Sequence, residues 1–171
     1  MTTVPDLPPA GVQSDEDRRQ ISRIFIAHAR EELANGSRLQ AGEKAWGAVV
    51  QPFKVIAEQR GWPHKSHQEV YDVSSQIALE YGFDHDQSLA LSDAYRVGHQ
   101  NFYENYHRAE TLADMIDRVE GLLPYLIQLT ITPPRPFTIT SNTQLRRLRR
   151  LTGDDGLEMG DTSPVGFSQN Q

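Results

Sequence analysis

The sequence has no cysteine, which excludes a disulfide framework, thiol catalysis and cysteine-ligated zinc. No apolar run approaches the roughly 20 residues needed to cross a bilayer, so no membrane partner is expected. The stretch from Met1 to Pro9 lacks the basic start and apolar stretch of a secretory signal, which reads as a cytoplasmic protein. A glycine-rich phosphate loop, a dinucleotide fingerprint and a defensible Ser/His/Asp arrangement are all missing, and no cofactor is expected. Positive charge is scarce in most of the chain. The net charge is −6, and residues 132–171 set five arginines against four acids, leaving the first 131 residues at −7. An acidic body does not wrap nucleic acid non-specifically, because such binding rests on many phosphate contacts; any nucleic-acid role needs a local basic site.

What is present is enough for one core. Hydrophobic residues make up 37% of 171, within the range of a folded domain rather than a disordered chain. Residues 1–13 are rich in Pro and Gly and read as a disordered leader. Ser14 before Asp15, Glu16 and Asp17 is a helix start, with acids at the positive end of the helix dipole. Helical spacing then predicts five helices over residues 14–131: to Ala34, to about Gly61, from Ser66 to Gly82, from Asp86 to His107, and from Glu110 to Thr130. The last has the cleanest period, with Leu112, Ile116, Val119, Leu123 and Leu126 on one face. Pro52 lies inside the second helix, where it removes a bond to the Ala48 carbonyl. With no strand pattern before residue 131, the expected fold is all-α, an up-and-down bundle of about five helices. Residues 132–171 read as a Pro-rich linker, a short Arg-rich helix capped by Ser141, and a flexible tail.

The chemistry concentrates in Arg96 to His107. Arg96, His99, Asn101, Tyr103, Glu104 and His107 supply donors, acceptors and titratable groups within about three turns of the predicted helix. On a helical wheel Tyr95, Gly98 and Phe102 face the core, while Arg96, Tyr103 and His107 form a polar stripe and His99 sits at its border. A guanidinium and an imidazole one turn apart suit phosphate: arginine holds the charge and histidine moves a proton near neutral pH. The same residues also suit a polar network between helices or between subunits. Glu43 and Lys44 flank the second helix's apolar stripe and can reach this region or pair at the surface. Glu104 and His107 have the Glu-x-x-His spacing of di-iron bundles, but no second such pair exists, so no metal site is expected. Arg146, Arg147, Arg149 and Arg150 alternate with leucines, giving a basic face that can dock on the acidic body or on a second copy, contact RNA phosphates, dock on an acidic partner, or associate weakly with a membrane surface.

Ala41-Gly-Glu-Lys-Ala-Trp-Gly-Ala48 followed by His99-Gln-Asn-Phe-Tyr-Glu104 resembles the PaREP-type branch of the HEPN superfamily (higher eukaryotes and prokaryotes nucleotide-binding), over about residues 17–130. The resemblance implies a small helical bundle, often a homodimer. Many such relatives are metal-independent ribonucleases or toxin-like proteins, whose arginine and histidine meet a second copy. Others have lost catalysis and bind RNA or a protein partner, or act as scaffolds. The superfamily's catalytic interval between arginine and histidine is longer than the two residues between Arg96 and His99 and shorter than the ten between Arg96 and His107. The resemblance therefore implies an RNA- or protein-binding module that is weakly or not catalytic, with an endoribonuclease using Arg96 and His99, or a structural scaffold, as the alternatives.

Overall fold

The computed structural model describes residues 4–9, 11–99 and 108–163, and the fold over them is all-α. Helix α1 runs Asp15–Ala34, α2 Arg38–Arg60, α3 His67–Glu80 and α4 His85–Asp93. A π-helical segment, Ala94–His99, continues α4; α5 is Ala109–Leu129 and α6 is Asn142–Thr152. Three helix starts follow one local rule. Ser14, Ser66 and Asp84 each accept a backbone N–H three residues on, and Asp17, Glu69 and Gln87 reach back to the cap's own N–H. These bonds hold the Asp17 and Glu69 carboxyls below their ordinary values, chiefly through the backbone N–H groups they accept. Gly36, Gly82 and Gly153 follow helices with positive φ, the left-handed conformation that favours glycine.

By its internal packing the chain divides into two compact units, residues 1–52 with 84–130 and residues 53–83 with 131–171. In the first, α5 is the central element: Leu112, Met115, Ile116, Val119, Leu123 and Leu126 are buried on the face its spacing predicts. It packs on α1, which contributes Ile21 and Ile24, and arginines tie the rim. Arg30 bridges Asp117 and Glu120 at 2.8 and 2.7 Å, and Arg19 donates to the Thr130 hydroxyl at 2.8 Å. α2 continues through Pro52, which leaves the Ala48 carbonyl without its helical donor. The buried Ser22 hydroxyl of α1 donates to that oxygen at 2.6 Å and takes the place of the missing N–H.

In the second unit, Phe53, Ile56, Val70, Val73, Ile77, Leu148 and Leu151 are buried. Arg60 and Glu80 form an enclosed ion pair at 2.6 Å, with the Gln76 amide donating to the same carboxylate at 3.1 Å and the guanidinium lying over the Trp62 ring. The Tyr81 hydroxyl donates to the Pro133 carbonyl at 3.0 Å, and burial pushes that phenol's pKa up, which keeps the donor protonated. After α6 the chain returns, and Thr162–Ser163 (β2) pairs antiparallel with Phe137–Thr138 (β1), Phe137 opposite Ser163.

The fourth predicted helix differs from expectation. Its α-helical part ends at Asp93, and the next six residues widen into a π turn. π turns occur mostly as short insertions where outside contacts hold them, and here Gly98 meets the backbone of α2. Residues 100–107, with Asn101, Tyr103, Glu104 and His107, lie outside the described residues.

Ser22→Ala tests the proline repair. It leaves a buried carbonyl without a donor and is expected to lower unfolding stability by about 1–3 kcal/mol in urea titrations. An unchanged midpoint would show that the Ser22–Ala48 bond contributes nothing.

Candidate functional site

The site is built where α2 and the π segment cross within the first unit. Gly42 and Gly98 lie backbone to backbone: a Cβ on Gly98 would stand 2.8 Å from the Gly42 oxygen, and one on Gly42 would stand 3.0 Å from the Gly98 oxygen. No side chain fits between them. One turn along α2, Trp46 is buried against the same segment. Its indole meets Tyr95 edge-on at 5.4 Å between ring centroids and lies tilted against His99 at 6.2 Å; Tyr95 and His99 are 6.0 Å apart. The imidazole therefore sits in an aromatic slot with only 11% of its side chain exposed.

Glu43 completes the slot. Its Oε1 approaches His99 Nδ1 at 3.3 Å, and both atoms are closed off from solvent. The separation is that of an ion pair, but the alignment is not that of a hydrogen bond. A carboxylate beside an imidazole attracts it electrostatically and biases which way the ring faces. Arg96 belongs to the same turn and is exposed, and it forms no ion pair among the described residues. The arrangement thus couples a fixed, carboxylate-backed imidazole to an outward guanidinium able to bind an anion.

The other residues singled out by sequence go elsewhere. Lys44 lies over the Phe25 ring at 4.7 Å, and that ring packs so tightly on Gly47 that a Cβ there would come within 2.7 Å of it. In the second unit, Arg150 holds Asp72 through two bonds of 2.9 Å, and Arg149 donates to the Leu157 carbonyl at 3.1 and 2.6 Å. The Asp72 carboxylate raises the Arg150 pKa further above its usual value. Two of the four arginines therefore hold the C-terminal segment in place. Arg146 is exposed and Arg147 half-buried, neither with an ion pair among the described residues. Among the described residues, no three His, Asp or Glu side chains are grouped to hold a metal ion.

Helical spacing places Tyr95 on the core face and does not mark Trp46 and Tyr95 together as neighbours of His99. Their role as walls around His99 has one sequence signal, the pair of helix-interior glycines at Gly42 and Gly98, each of which costs about 1 kcal/mol against alanine unless backbones meet there. Compared with known families, residues 17–123 match the archaeal PaREP1/PaREP8 family. No curated protein and no solved structure matches the chain.

Gly98→Ala places a methyl against a backbone oxygen that has no rotamer to escape into. It is expected to cost about 1–3 kcal/mol in chemical denaturation and to shift Trp46 fluorescence. A variant as stable as wild type, with unchanged emission, would remove the glycine crossing as the site's foundation.

Proposed function

The chain belongs to the archaeal PaREP1/PaREP8 family, and from that premise we propose that it is an RNA-binding helical module of HEPN type, weakly or not catalytic. The observation that carries the reading is the exposed Arg96 on the same π turn as His99, whose imidazole faces Glu43 of α2. In a protein of net charge −6, an arginine without an ionic partner among the described residues is a local site for a phosphate. Arg146 and Arg147 offer further phosphate contacts of the same kind. His99 packs against both Trp46 and Tyr95 and is largely withdrawn from solvent, which favours a positioning role over cleavage.

The Glu43 carboxylate behind His99 supports a second reading, a metal-independent endoribonuclease in which Arg96 stabilises phosphate charge and His99 is the acid or base. The same carboxylate also serves the binding reading, because it holds the ring in place.

Fluorescence anisotropy with mixed-sequence single-stranded RNA tests binding. Affinity is expected at low salt and should fall steeply as salt rises; Arg96→Ala should weaken it and lower the salt slope by about 1. No affinity at low salt would refute the RNA reading and leave a protein partner as the ligand. Incubating labelled RNA with wild type and with His99→Ala in EDTA separates the enzyme reading. Equally intact RNA is expected, whereas cleavage by wild type alone would replace binding with catalysis.

A further inference from the structure

The net negative charge of the chain belongs to one unit. Residues 53–83 and 131–171 hold eight Lys and Arg against eight Asp and Glu, so the whole net charge of −6 falls on the first unit, which contains Arg96. A polyanion meets less repulsion at the second unit, and least where its cations are unanswered. That place is α6. Of its four arginines only Arg150 meets a carboxylate among the described residues. Arg149 donates to the Leu157 carbonyl, which carries no charge, while Arg146 is exposed and Arg147 half-buried, neither with an ion pair among the described residues.

The acids of α3, the helix that α6 packs against, are held elsewhere. Asp72 is the buried partner of Arg150, Glu80 is enclosed with Arg60, and Glu69 accepts the Lys65 and Ser66 N–H groups at 2.6 and 2.8 Å. Two further features choose among polyanions. The apolar edge of α6 is already used, with Leu148 0% and Leu151 2% exposed, so little remains to enter a lipid bilayer. Tyr71 immediately precedes Asp72, the residue that Arg150 grips, and is itself 44% exposed. An open aromatic ring offers a stacking face to an unpaired base, and an acidic peptide backbone has no base to place there. We propose that the outer face of α6, together with Tyr71 of α3, is the principal single-stranded RNA-binding surface of this protein, with Arg146 and Arg147 meeting phosphates and Tyr71 a base. This rests on the RNA reading, but it moves most of the phosphate contact from Arg96 to α6, which lies beyond the family-matching residues 17–123.

Anisotropy of a labelled single-stranded RNA of mixed sequence, titrated with the full chain at several salt concentrations, reads the outcome. Replacing Arg146 and Arg147 together by Ala is expected to weaken binding at least about tenfold at low salt and to lower the salt slope about twice as much as Arg96→Ala. Tyr71→Leu should weaken binding about fivefold or more with the slope unchanged, because stacking releases no counterions. RNA bound by wild type and bound equally well by the double variant overturns the proposal while the RNA reading stands. No binding by wild type overturns both. Unlabelled poly-glutamate that competes as well as unlabelled RNA would replace RNA with an acidic protein. Binding to phosphatidylglycerol vesicles without binding to RNA would replace it with a membrane surface. A Tyr71→Leu protein that binds as wild type does overturns the stacking contact. If the double variant does not fold, Arg146→Glu, at an exposed position, decides the phosphate contact by itself.

Discussion

The backbone contact between Gly42 and Gly98 is the constraint on which the candidate site depends. It brings α2 and the segment after α4 closer than any side chain would permit. Trp46, Tyr95 and His99 then form a three-ring cluster, and Glu43 sits beside the imidazole. A π turn is a poor helix in isolation. It persists here because the contacts around it hold it, and the same widening carries Arg96 outward while His99 turns in.

A second theme is the settling of polar debts in buried places. Pro52 frees a carbonyl inside α2, and the Ser22 hydroxyl answers it from another helix. Arg60 and Glu80 are enclosed together, with Gln76 sharing the carboxylate. Such a pair adds little net stability compared with apolar residues of the same shape, yet removing either partner leaves an uncompensated buried charge. Arg150, itself half exposed, pins α6 to the buried Asp72 of α3 while Leu148 and Leu151 supply the apolar contact.

Much of the fold was legible in the residues. The capping signals at Ser14, Ser66 and Ser141 mark three helix starts, and the period of α5 names its buried face. Local hydrogen bonding and hydrophobic periodicity set these features, and both are written within a few residues of one another. The single helix expected from Asp86 to His107 was not such a case. A wheel of uniform pitch has no means of registering a π turn, because the turn is held by α2, more than fifty residues away in sequence. The site was legible in its membership, since Glu43, Arg96 and His99 stand out by type. It was not legible in its assignment of partners: Lys44 looks like a companion of Glu43 and instead lies over Phe25.

By itself the sequence determined an all-α chain, the helix starts, the core face of α5 and the residues rich enough in chemistry to form a site. Each of these follows from short-range periodicity or from a cap within three residues of its partner. The tertiary structure alone decided that Ser22 would answer Pro52, that Arg60 would be buried with Glu80, and that Gly42 would meet Gly98 and so put a carboxylate behind His99. Those are contacts between distant segments. Their geometry depends on how closely two helices can approach, and that distance is set by packing rather than by any local pattern.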